Sequence, residues 1–181
     1  MVKQELLQWY EIVTPDVFGG RVIGQTTAND PAKLIGRVIE ISLMELSGEA
    51  TRYYIKLFFK TKSLIGSKLT TTFFGHDCTK DFIARVVQLR TARIDTNTIV
   101  NMKDAKIRIK AIAITNRCVK KGTERDLRKT IIETIKREME KITLEEFSKS
   151  LITGILQKKI RKEVNVIYPL RQFEFRKSEI L

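Results

Sequence analysis

The sequence predicts an α+β domain: a β-barrel-like antiparallel or mixed sheet, three packed C-terminal helices, and a closing C-terminal strand. Three observations lead there. Apolar and polar residues alternate in short runs before residue 115. After Gly122 the apolar spacing becomes every three or four residues, and alternation returns from Leu170 to Lys177. An isolated last strand has no hairpin partner of its own, so it is expected to return to the earlier sheet and tie the helices to it. Residues 1–181 should then form one domain, β-rich over about 9–115, closed by 170–177, and helical over about 123–168.

Taken in order, Trp9 to Val13 reads as a short extended segment, because aromatic and β-branched residues cluster there and Pro15 stops any ladder. Trp9 and Tyr10 have the chemistry to stack on bases, but such a pair is expected to anchor its segment to a core. Phe18-Gly19-Gly20 turns the chain. Asp30 as N-cap with Pro31 at the first helical position opens barely one turn before Gly36. From Arg37 a strand points Ile39, Ile41 and Leu43 one way until Ser47-Gly48 breaks it. Tyr53 to Lys62 makes a hairpin with it, placing Ile55, Leu57 and Phe59 opposite Lys56, Phe58 and Lys60. Ile65-Gly66-Ser67 then turns into a strand at Lys68 to Gly75. Thr79 can cap a short helix carrying Phe82, Val86 and Leu89, although Ile83 to Val87 would also serve as a strand.

Arg90 to Met102, the break Lys103-Asp104-Ala105, and the run from Lys106 to Ile114 form a second hairpin. Leu127, Ile131, Ile135, Met139 and Ile142 then lie on one helical stripe, with Thr123 and Asp126 where a cap would sit. Thr143-Leu144-Glu145-Glu146 is a capping-box pattern opening a second helix with Phe147 and Leu151 inward, ended or bent at Gly154. Leu156, Ile160, Val164 and Ile167 form the third stripe, which Tyr168-Pro169 stops. In the last strand Phe173 and Phe175 oppose Gln172, Glu174 and Arg176.

Charge suggests the partner. The chain carries 34 Lys and Arg against 21 Asp and Glu, net +13, with a pI near 9.9, the electrostatic footprint of a polyanion binder. Lys106-Ile107-Arg108-Ile109-Lys110 buries its isoleucines and presents three cations on the other face. Residues 117–129 add six cations, Arg117, Lys120, Lys121, Arg125, Arg128 and Lys129, against Glu124 and Asp126. With Lys103, Arg90 and Arg93 from the adjoining hairpin, these are the expected phosphate-binding residues. Mutual repulsion of Arg117, Lys120 and Lys121 beside Gly122 predicts that 116–123 is mobile in the free chain and ordered by bound phosphates. With 43% apolar residues the chain can bury a core. Met1 to Val13 lacks a signal-peptide core and no run approaches ~18 apolar residues, so a cytoplasmic protein without a membrane partner is expected, with Cys78 and Cys118 reduced and unlinked.

Catalytic chemistry is not indicated. His76 is the only histidine, and with Cys78 and Cys118 it falls short of a closed zinc site, so no metal is expected. A Cys/His nucleophile pair lacks any flanking signature, and His76 is expected to be a structural residue at a strand end. There is no phosphate-cradling Gly-rich loop and no dinucleotide fingerprint, hence no expected cofactor or small-molecule substrate.

The order of short motifs resembles one family, the small-subunit ribosomal protein eS-one, formerly S-three-Ae, in its compact archaeal form. The matching stretches are Trp9-Tyr10-Glu11-Ile12 with Pro15 and Phe18-Gly19; Asp30-Pro31 with Ile35-Gly36-Arg37; Phe74-Gly75-His76 with Thr79, Asp81 and Arg85; Arg93-Ile94-Asp95; and Ile167-Tyr168-Pro169 with Arg176-Lys177. Asn101 to Ala105 and Cys78 depart from the pattern. The resemblance implies a β-barrel with packed helices on the platform of the small subunit, near the rRNA 3′ end and the mRNA exit. Its implied partners are small-subunit rRNA, neighbouring platform ribosomal proteins and mRNA near the exit. A different reading of the same face is a non-ribosomal RNA- or DNA-binding regulator, which would not stay on salt-washed subunits.

Overall fold

A computed structural model describes residues 7–48 and 50–181; the expectation for the first six residues lies outside the described residues. The chain divides into two compact units, one ending at Gly75 and the other running His76–Leu181.

The first unit contains β1 (Gln8–Val13), β2 (Val22–Ala28), β3 (Val38–Ser42), α1 (Leu43–Ser47), β4 (Ile55–Ile65) and the larger part of β5 (Lys68–Cys78). Tyr10, Ile12, Ala28, Leu34 and Leu69 form one core cluster. Within the expected aromatic pair, Tyr10 is that anchor, whereas Trp9 is 66% exposed. Asp30 caps the short turn at Pro31–Leu34 by accepting from the Ala32 N–H. β3 pairs antiparallel with β4, and Gly66, at φ 62°, supplies the left-handed residue of the turn into β5.

Two elements differ from expectation. Leu43 does not continue β3: the Ser42 hydroxyl accepts from Met44 N–H, and Leu43 and Leu46 are buried at helical spacing, so the chain turns into α1. β2, antiparallel to β1, had no counterpart in the reading. Its first four residues are exposed or half-buried, so no alternation marks it.

The second unit contains the end of β5, α2 (Lys80–Val86), β6 (Arg93–Asn101), β7 (Lys106–Thr115), α3 (Lys121–Met139), α4 (Leu144–Thr153), α5 (Ile155–Val164) and β8 (Leu170–Ile180). β6 and β7 make the expected hairpin, and β8 returns to pair antiparallel with β7. Leu127, Ile131, Ile135 and Met139 are all 0% exposed, fixing the buried stripe of α3, while Ile142 lies beyond the helix end. The capping box of α4 forms, with Thr143 Oγ1 accepting from Glu146 N–H and Glu146 Oε2 accepting from Thr143 N–H. Gly154, at φ 71°, ends α4 in the left-handed conformation. α3 packs on β6 and α5, and α5 on β8. In α2 the buried residue is Ile83, and Leu89 is 96% exposed beyond the helix. Ile167 likewise lies past α5 and is exposed.

Strand pairing is mixed and open. Its path is β2-β1-β5-β8-β7-β6, with β3 on β4 and β4 on β5, and β1 runs parallel to β5. The barrel expected of the sheet is therefore corrected, because the strand path is open; β8, expected to return to the earlier sheet, does so between β5 and β7. Among the described residues the helices number five, where three C-terminal ones and a short one were expected. No helix among the described residues is long and apolar enough to cross a membrane.

Candidate nucleic-acid interface

Strand parity assembles the basic face. Ile107 and Ile109 are 0% exposed, which turns Lys106, Arg108 and Lys110 to the opposite side of β7. The register with β6 sets Asn101, Ile99 and Asn97 beside them, and the register with β8 sets Glu179 beside Arg108 and Lys177 beside Lys110. Lys110 and Lys177 are thus like charges directly across a strand pair, an unfavourable arrangement that a nearby anion relieves. Glu179 lies 2.5 Å from Lys177 Nζ and 3.7 Å from Arg108 Nη1. The hydrogen bond from Lys177, helped by the charges of Lys110 and Arg108 and opposed by partial burial, holds the Glu179 carboxyl below its ordinary range. The same hydrogen bond raises Lys177. Against these four cations stand two carboxylates, Glu179 and Asp77, the second of which also acts on Lys177, so the face stays positive at neutral pH.

Lys177 was missed by sequence reasoning for a physical reason. Alternation from Phe173 and Phe175 assigns residue 177 to the core side, but a bulge in β8 opposite Lys110/Ala111 leaves Arg176 outside the register. Parity shifts there, so Ser178 is buried and Lys177 joins the outer face.

The remaining candidates divide. Arg93 is on the same side of β6 as Asn97 but is held by Asp95, Nε to Oδ2 at 2.9 Å and Nη2 to Oδ1 at 3.1 Å. Arg128 reaches from α3 to donate to the Asp95 carbonyl at 3.3 Å, covering an acceptor of β6. Lys103 is exposed in the turn that Met102 N–H closes on Ala105 O at 2.8 Å. Arg90 is exposed and sits at φ 62°, the left-handed region uncommon for a side-chain-bearing residue.

Lys121, Arg125 and Lys129 recur every four residues along α3 and are all exposed, forming one cationic ridge. The helix starts earlier than Thr123 and Asp126 suggested, with Lys120 as N-cap and no side-chain cap hydrogen bond. Residues 121–123 are accordingly helical. Asn116 N–H donates to Pro169 O at 3.3 Å and Thr115 Oγ1 to Arg117 O at 2.6 Å, so the irregular part of the expected mobile segment shrinks to 118–120, where the Lys120 carbonyl already accepts from Glu124 N–H at 3.1 Å.

His76 belongs to the core. Its backbone N–H donates to Ser178 Oγ at 3.1 Å, Ser178 Oγ lies 2.5 Å from Nδ1, and Nε2 lies 2.9 Å from the Phe175 carbonyl. A carbonyl only accepts, so Nε2 carries the proton and Nδ1 takes the serine hydroxyl. Burial drives the imidazole down to about 4, against the Phe175 hydrogen bond that favours its charged form. Cys78 donates to the same carbonyl at 3.2 Å, and burial raises its thiol, with Glu174 and Asp77 adding to the effect. Cys78 and the exposed Cys118 are both free thiols.

Fold and face together define the class: an α+β protein with an ordered cationic sheet face and a cationic helix ridge. The chain belongs to the ribosomal S3Ae family, whose sequence model matches residues 5–181. It is similar to the small ribosomal subunit protein eS1 of Methanococcus maripaludis, 36% identical over 174 residues that make up 96% of this chain and 77% of that protein. The protein of the same name from Staphylothermus marinus is 34% identical over 180 residues, 99% of this chain and 85% of its own length. That of Methanothermobacter thermautotrophicus is 35% identical over 175 residues, 96% and 90% respectively.

Proposed function

We propose that this chain is a structural constituent of the small ribosomal subunit that binds rRNA phosphates on the platform, near the rRNA 3′ end and the mRNA exit. Its work is electrostatic and involves no turnover: Lys106, Arg108, Lys110 and Lys177 neutralise phosphates whose mutual repulsion opposes rRNA folding. The carrying observation is that a family match over nearly the whole chain coincides with four outward cations that strand register brings together, in excess of the carboxylates Glu179 and Asp77. The ridge Lys121, Arg125 and Lys129, with Arg117, Lys120, Arg128, Lys103, Arg90 and Arg93, extends the contact. The N-terminal amides of α3 add partial positive charge beside Lys120 and Lys121. Neighbouring platform proteins are its protein partners, mRNA near the exit is within reach, and the chain acts as one domain on cytoplasmic ribosomes.

The test is co-sedimentation with salt-washed small subunits depleted of their own copy. Stoichiometric rebinding that survives the wash and protects rRNA near its 3′ end supports the reading. Release from subunits together with tight binding to a short single-stranded sequence contradicts it.

A further inference from the structure

An open cavity of about 410 Å³ in the second unit is lined by Lys80, Ile83, Ala84 and Val87 of α2 and its C-terminal cap, by Arg93 of β6 and by Arg176 of β8. Two features set it apart from the phosphate-binding face. Its wall is aliphatic, with Ile83 buried and Val87 half-buried behind the small, exposed Ala84. Its cations come from special positions: Arg176 is the residue that the β8 bulge leaves out of the ladder, a device that re-aims a side chain. Lys80 and Arg176 take part in no ion pair among the described residues, whereas Arg93 is held by Asp95, and the charges of Glu174 and Asp77 act with that of Arg176 on neighbouring Cys78.

A duplex backbone presents phosphates and ribose but no face that needs an aliphatic wall. An unstacked base does, since splayed bases lie against apolar side chains and guanidinium planes while the attached phosphate takes a cation. The volume is within the range of small-ligand sites. We propose that this cavity seats a single extruded nucleotide of the bound RNA, its base against Ile83, Ala84 and Val87 beside the Arg93 and Arg176 guanidiniums, and its phosphate at Lys80. The proposal rests on the rRNA-binding reading above and specifies a local RNA structure which that reading does not require.

The experiment compares the full chain's affinity for two RNA hairpins identical except that one carries a single bulged uridine. The bulged hairpin should bind at least about fivefold tighter, the lower end of one base's stacking contribution. Ala84→Leu, at an exposed helical position, fills the cavity and should abolish that preference while leaving affinity for the perfect hairpin unchanged; the latter also reports that the variant is folded. Arg176→Ala should weaken the preference in the same way. Equal affinity of wild type for both hairpins overturns the nucleotide site but not the phosphate-binding reading. A bulge preference that survives Ala84→Leu also overturns it. Saturable binding of free uridine monophosphate without any bulge preference assigns the cavity to a soluble nucleotide, and failure to bind either hairpin overturns both readings.

Discussion

Acid should destabilise the second unit, and one histidine accounts for a definite part of the loss. His76 is 0% exposed, neutral, and engaged at both ring nitrogens. Its folded-state value of about 4 lies below the ordinary 6.5, so between those values the unfolded chain binds a proton that the folded chain refuses. Stability from this group is complete above about pH 6.5 and falls as pH drops towards 4. At 1.36 kcal/mol per unit, the shift from 6.5 to about 4 amounts to roughly 3 kcal/mol at the acid end. Glu138 and Glu179 also lose their favourable ionised interactions in acid, because both carboxyls are held below 4.5, but those losses are common to wild type and a His76 variant. The assay is urea unfolding followed by circular dichroism at pH 7, 6, 5 and 4.5, for wild type and His76→Gln. Gln should be less stable at pH 7, since it does not reproduce both hydrogen bonds, at a cost of about 1–3 kcal/mol. The gap should narrow steadily with falling pH. A gap constant across the series would refute the account of a buried neutral imidazole.

Other outcomes follow from local geometry. Thr143→Ala breaks the capping box of α4 and should cost about 1 kcal/mol in urea unfolding, with no change in RNA affinity. Lys120→Ala, Lys121→Ala and Arg125→Ala together should weaken RNA binding and lower its salt slope with stability within about 0.5 kcal/mol of wild type. Amide exchange in the free protein should be fast at Cys118, Val119 and Lys120 and slow at Asn116, whose N–H is bonded to Pro169 O.

Where the sequence was legible, a short-range rule operated unopposed. The β6–β7 hairpin, the α3 stripe and the α4 capping box each follow from residues within a few positions of one another. The return of β8 to the sheet was legible, but its exact neighbours were not: that it lies between β5 and β7, and that the path stays open, depends on partners some hundred residues apart, such as His76 and Ser178. The candidate site shows the same division. Lys106, Arg108 and Lys110 were readable from alternation with two buried isoleucines. Lys177 and the re-aimed Arg176 were not, because a single bulge reversed the parity that Phe173 and Phe175 announce. The α3 start was misplaced because Lys120 caps through backbone geometry alone, without the side-chain acceptor that marks a helix start in sequence.

The most direct test of the central claim is the salt dependence of binding to a structured small-subunit rRNA fragment. It compares wild type with the combined Lys106→Ala, Arg108→Ala, Lys110→Ala and Lys177→Ala variant. These side chains face away from Ile107 and Ile109, so the fold should persist, and relief of the Lys110–Lys177 opposition should partly offset loss of the Lys177–Glu179 and Arg108–Glu179 ion pairs. Each lost phosphate contact should take about 0.7–0.9 from the log-log slope, up to roughly 3 in all. A folded variant whose slope and affinity match wild type would contradict the assignment of this face to rRNA.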